Sequence, residues 1–214
     1  NKKKIISMVS LFILLYFLRI ATTAWIGGEI EEYFSYFTIE KIIYAIILIP
    51  NFFLSFLAFF GEEYGWRYFL QPILQKKFGM VKGLVVLGLV WGIWHLPLNL
   101  FYYSAKGTGL MSLVNQLFIC ITYSIMFGFA YSYSESIWTV VAIHYFNNNL
   151  VLFFTDGFDN TVIQGQEYTW PSVWINAISG IIFFGIFIFS KYNRKKEYRL
   201  PTANERLNIN KDII

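Results

Sequence analysis

IEKIIYAIILIPNFFLSFLAFFGEEYGWR, residues 39–67, is a long apolar run that ends on two acids and an arginine. A transmembrane helix needs about 20 mainly apolar residues, and residues 39–60 supply them. The run lacks the period-2 alternation of a barrel strand. In lipid only a helix then satisfies its backbone. The same reading works outward along the chain. Candidate spans fall at about 5–26, 39–60 with a helical extension to about 74, 82–102, 111–132, 136–154 and 172–190. The fold expected is all-α: a polytopic transmembrane helical bundle of about six spans.

Composition agrees. Of 214 residues, 57% are hydrophobic, 21% aromatic and only 14% charged, and mean hydropathy is +0.51. Soluble domains carry roughly 25% charged residues, and one of this size has too little interior to hide so much apolar surface. The single cysteine, Cys120, excludes an internal disulfide and a cysteine metal site. The net charge of +4 comes from basic residues in short segments that flank apolar runs. That is the pattern of a membrane edge, not of nucleic-acid binding.

Charge also orients the spans. Lys2–Lys4, Lys76, Lys77, Lys82, Lys191, Arg194, Lys195, Lys196 and Arg199 fall on one side of a six-span arrangement. Glu29, Glu31, Glu32, Asp156, Asp159 and Glu167 fall on the other, with Lys106 the basic exception. The positive-inside rule then places both termini in the cytoplasm. The polar tail after Tyr192 reads as a frayed cytosolic end. The chain opens on Asn1 instead of Met, as expected of a piece of a longer protein. Its first apolar run continues past Arg19 to Ile26, which reads as a retained span and not a signal peptide.

Ionisable residues within spans are rare and costly, so they carry the information. Arg19 and Lys41 lie nearer span ends, where long basic side chains snorkel. Glu62, Glu63 and Arg67 close the second span. Glu63 and Arg67 stand at i,i+4 in the favourable order and pair. Glu62 points about 100° away without that partner, as a general base would, or as a solvated helix end would. In Trp91-Gly92-Ile93-Trp94-His95-Leu96-Pro97, the proline forces a kink beside His95. That histidine is a site residue or a core histidine satisfied by the carbonyl freed near Ile93. His144 and Asn148 share a helix face, with helix–helix adhesion as the plain alternative. At 1.5 Å per residue, Glu62, His95 and His144 all fall about 15–20 Å from the cytoplasmic ends of their helices. They share one depth.

In this order the three segments resemble the CPBP family of intramembrane proteases. That family includes type II CAAX prenyl endopeptidases and bacterial proteins linked to bacteriocin self-immunity. Its Glu-Glu-x-x-x-Arg, aromatic-x-x-x-His and His-x-x-x-Asn read here as Glu62 to Arg67, Trp91 to His95, and His144 to Asn148. Trp91 stands where Phe is more usual. The likeness covers roughly residues 40–155, as a catalytic core of four spans. The chain divides into an N-terminal span and outer loop (1–38), the protease core (39–155), a C-terminal span (156–192) and a cytoplasmic tail (193–214).

The resemblance implies that Glu62 activates water, His95 assists or holds it, and His144 with Asn148 stabilises the oxyanion. Glu63 and Arg67 support the site. Glu62, His95 and His144 would also make a common zinc set, and spacing leaves both mechanisms open. The implied partners are membrane lipid and a hydrophobic or lipid-anchored peptide substrate. The Ile, Phe, Asn and Lys bias of the chain points to a low-GC bacterium and so to a bacterial plasma membrane, where the role implied by analogy with the family is bacteriocin self-immunity or peptide maturation. Two rivals use the same residues: a catalytically silent scaffold with a protease-like fold, and a transporter with a polar path across the membrane.

Overall fold

The computed structural model describes residues 2–158 and 163–211. Asp159, counted above among the acids of one face, lies outside them. Helices α1 (Lys2–Gly27), α3 (Ile39–Phe78), α6 (Gly109–Ser134), α7 (Ile137–Phe154) and α8 (Trp170–Phe189) are each long and apolar enough to cross a membrane. A sixth crossing is the pair α4 (Met80–Trp94) and α5 (Leu96–Tyr103), bent by 45°. A short α2 (Ile30–Ser35) precedes α3, and α9 (Ala203–Lys211) closes the described chain. The expected spans are recovered to within a few residues, as an all-α polytopic bundle.

The second span carries its helical extension to Phe78: α3 passes through Pro50 and a π-helical stretch at Tyr64–Leu70 as one continuous helix. At 1.5 Å per residue that is about 60 Å, twice the hydrocarbon thickness. Its apolar half is nearly unburied by protein and faces lipid.

Small residues allow α4 and α6 to approach. A Cβ on Gly88 would lie 2.4 Å from Cα of Ile121, and one on Gly92 would lie 3.1 Å from Cα of Leu117, both on α6. Such contacts replace the hydrophobic driving force that lipid removes. Behind them Phe12, Tyr123, Phe127 and Phe184 form an aromatic core joining α1, α6 and α8, with Phe12–Phe184 centroids 5.5 Å apart.

Antiparallel α3 and α7 are laced by polar bonds. The Tyr44 hydroxyl donates to the Asn149 carbonyl and the Tyr145 hydroxyl to the Leu48 carbonyl, both at 3.0 Å. Lys41 donates to the carbonyls of Leu152, Thr155 and Gly157 at 2.8, 2.7 and 3.1 Å. This corrects the snorkelling expectation: Lys41 is buried and caps the carboxyl end of α7. Arg19 is also buried and donates to Asn176 Oδ1 at 3.1 Å.

Among the described residues the tail after Tyr192 is not frayed. Glu205 pairs with Arg199 at 3.0 Å and Lys76 at 2.9 Å, and exchanges capping bonds with Thr202 at the start of α9. Arg206 lies 4.0 Å over the Tyr68 ring and donates to the Tyr131 hydroxyl.

Two predictions follow from this packing. Gly88→Ala lowers stability by about 1–3 kcal/mol through overpacking, read by thermal unfolding in detergent. Gly61→Ala, which meets open space, is neutral or slightly stabilising. Equal melting of the two variants would refute the close α4–α6 contact. The second prediction concerns acid. Hydrogen bonds from Arg199 and Lys76 hold the Glu205 carboxyl well below its ordinary range. A depressed pKa gives stability that is complete above the unfolded value of about 4.3. That stability is lost only as pH falls through the lower folded value. Hydrogen exchange over residues 200–208 should therefore stay protected at pH 5 and open only in stronger acid, while Glu205→Gln opens it at neutral pH.

Candidate active site

The site is built where α3 leaves regular geometry. Residues Tyr64–Leu70 form a π-helical stretch immediately after Glu63, a feature often found at functional positions. Tyr64 and Gly65 face outward, while Glu63 and Arg67 turn inward and are wholly buried. Arg67 Nε donates to Glu63 Oε2 at 3.0 Å, the pairing expected from spacing. The second carboxylate oxygen, Oε1, meets His144 Nδ1 on α7 at 2.8 Å. Glu63 thus joins two helices and three functional side chains.

Arg67 is fixed on its other faces too. Its guanidinium lies 4.9 Å from the Trp91 ring centroid and 5.1 Å from that of Phe127. Nη1 reaches Ser124 Oγ at 3.4 Å, and Ser124 donates to the Leu84 carbonyl at 2.9 Å. Rings of Phe59 and Trp91 wall His144 at 5.3 and 5.5 Å.

His95 stands at the 45° bend with φ −80° and ψ 0°, in the sparsely populated bridge region that many active-site residues occupy. The expected proline kink is present. The imidazole is satisfied by the Trp91 carbonyl at 2.9 Å from Nδ1, not by the carbonyl near Ile93. A carbonyl only accepts, so Nδ1 carries the proton and Nε2 keeps a lone pair. The same logic at His144, facing the Glu63 carboxylate, puts a proton on its Nδ1.

Glu62 is partly exposed, and among the described residues its carboxylate makes no hydrogen bond or ion pair. The Trp91 ring packs against both histidines, with centroids 6.1 Å from His95 and 5.5 Å from His144. The structure therefore brings Glu63, Arg67 and His144 into direct contact and sets His95 across Trp91 from them, with Glu62 the residue before Glu63. Asn148 does not join them. It is exposed one turn beyond His144, and its Oδ1 accepts from Asn147 at 3.0 Å.

Among the described residues no three His, Cys, Asp or Glu side chains come together at metal-ligand spacing. The zinc set Glu62, His95 and His144 does not fit this geometry, since the acid that His144 meets is Glu63. Ser124, Phe59 and Phe127 were missed from sequence. A serine within the apolar α6 run was a usable signal for the first; the two phenylalanines, among 23 in the chain, had none.

The sequence model of the family described as Type II CAAX prenyl endopeptidase Rce1-like matches residues 44–150, half of the chain and all of these residues. The chain belongs to this family. It is a family of CAAX-type membrane proteases, and membership together with the apolar helices makes the protein an integral membrane protein. CAAX prenyl protease 2 of Methanococcus maripaludis is 38% identical to the chain over 50 residues. That match covers 23% of this chain and 18% of the relative, so the chain spans under a fifth of that relative's length. No solved structure matches the chain.

The geometry assigns different work to the two acids. Replacing one partner of a buried ion pair leaves an uncompensated charge and costs about 3–5 kcal/mol. Glu63→Gln should lose that much stability in denaturant or thermal unfolding, because Arg67 stays behind. Glu62→Gln should lose almost none. Similar losses in both variants would show that the structural role is not confined to Glu63.

Proposed function

We propose that the chain is an intramembrane endopeptidase that hydrolyses peptide bonds with a water activated by Glu62. What supports this reading is the buried Glu63–Arg67–His144 cluster, with Glu62 beside it making no bond among the described residues and His95 across the Trp91 ring from His144. Glu62 is the acid left without a structural partner, so it is free to take a proton. Water between Glu62 and His95 gives one proton to the carboxylate, while the His95 Nε2 lone pair accepts its second O–H and aims it. The hydroxide oxygen forms a bond to the peptide carbonyl carbon, and the carbonyl π electrons move onto oxygen.

His144 answers that oxyanion as a donor from Nε2, with a proton that enters from bulk water before the attack and returns there after product leaves. Glu63 supports the resulting imidazolium, as a buried carboxylate behind a catalytic histidine does. Asn148, exposed one turn beyond His144 with its Oδ1 held by Asn147, must turn inward on substrate binding for its amide to reach the oxyanion. Oriented donors in a water-poor site strengthen as the charge develops. The C–N bond then breaks, and the proton on Glu62 passes to the leaving amine. No step here uses a metal.

The substrate proposed is a hydrophobic or lipid-anchored peptide. Exposed Trp94, Leu96, Leu98 and Phe101 beside His95 offer an apolar approach from the bilayer. The relative's name points to prenylated CAAX proteins. Composition favours a bacterial plasma membrane with both termini cytoplasmic, and there a role in bacteriocin self-immunity or peptide maturation fits.

The test uses purified protein in detergent, a quenched library of hydrophobic peptides with and without a prenyl group, and a strong zinc chelator. Wild type should cleave with the chelator present. Glu62→Gln should fall by about 10²–10⁴-fold, the usual contribution of a general base, and His144→Ala should also fall. Undiminished cleavage by Glu62→Gln would overturn the proposed base. Loss of activity on chelation would overturn the metal-free route.

A further inference from the structure

The bend after His95 is closed by a buried polar bridge that the reaction above does not use. Asn99 stands one turn beyond His95 and is 1% exposed. Its Nδ2 donates to the His95 carbonyl at 2.9 Å, where the Asn99 backbone N–H also donates at 3.0 Å. Its Oδ1 accepts from Ser112 Oγ, on α6, at 2.7 Å. Ser104 Oγ closes the far side with a 2.6 Å bond to the Asn99 carbonyl. Ser112 is as deeply buried as Asn99.

An apolar side chain would fill this place at less cost, because a buried amide is unfavourable unless it is hydrogen-bonded. The bonds it makes explain its presence. Pro97 removes the N–H that would have tied this turn to Ile93, so the chain at His95 lacks part of its ordinary helical support. Asn99 restores it from the C-terminal side, and Ser112 fixes Asn99 to a continuous neighbouring helix. On the N-terminal side the His95 ring is tied to the Trp91 carbonyl. The histidine is therefore held on both sides of the bend.

We infer that Asn99, locked by Ser112, is a positioning residue that fixes the backbone of His95 and so the direction of its Nε2. The kinetic part of this inference rests on the reaction proposed above; the structural part does not.

His95 and His144 are the only histidines in the chain, so ¹⁵N-histidine labelling gives two ring signatures, assigned with a His95→Gln variant. Asn99→Leu, Ser112→Ala and the double variant are compared with wild type. Each single variant strands a buried polar group, whereas the double variant removes both partners and regains stability. In the double variant the His95 ring should lose its fixed Nδ1–H tautomer while His144 keeps its own. Its kcat should stay reduced by about 10²-fold, the cost of a misplaced group, with KM little changed. Unchanged His95 resonances in the double variant, or kcat returning together with melting temperature, would overturn the inference. Should wild type cleave no peptide, the proposed reaction fails, and the His95 resonances still decide the positioning role.

Discussion

A carboxylate at this depth must be compensated or the bundle does not form. Desolvating an ion costs several kcal/mol even after relaxation, and lipid offers no water to share the load. Glu63 meets that constraint with two partners at once, Arg67 at 3.0 Å and His144 at 2.8 Å. The guanidinium passes the constraint on, through Ser124 to the backbone of α4 and through Trp91 and Phe127 to both α4 and α6. Four helices thus take their mutual rotation from one acid. The laced α3–α7 seam, from Lys41 to Tyr145, sets the same relation from the other end of the bundle.

The helices are irregular in the two places where the site requires it. A π-helical stretch follows Glu63, and a proline bend follows His95. Each departure leaves backbone groups to be satisfied, and each is bordered by buried polar side chains: Arg67 and Ser124 beside the first, Asn99 and Ser112 beside the second. Local rules are broken at sites and supported from outside them. The support comes from α6 in both cases, an unbroken helix with half of its apolar window buried. A continuous helix packed beside irregular ones is a sensible anchor, because its backbone is already complete.

The spans were legible because lipid allows few answers: about 20 apolar residues, a helix, and charges at the ends. The Glu63–Arg67 pair was legible because i,i+4 neighbours meet on any helix. Spacing along one helix says nothing about how another is rotated towards it, so the Glu63–His144 contact was not legible, nor was the outward placement of Asn148. Lys41 and Arg19 were misread for a related reason. Distance from a span end suggested water, yet their partners, Leu152 and Asn176, come from more than a hundred residues away. The tail was misread because its composition is polar, while what holds it is the chance of Lys76 and Tyr131 ending at the same face.

The proton inventory of the cluster favours one acid as the chemical one. Arg67 stays charged through any reaction. Glu63 cannot accept a proton without loosening Arg67 and His144 together. Each histidine has its Nδ1 committed, one to a carboxylate and one to a carbonyl, and offers only Nε2. Of the two acids, Glu63 makes two bonds that the fold uses, and Glu62 makes none among the described residues. Two adjacent glutamates of identical chemistry are thereby separated by their partners: one is spent on holding four helices in place, and the other keeps a carboxylate that no described side chain bonds.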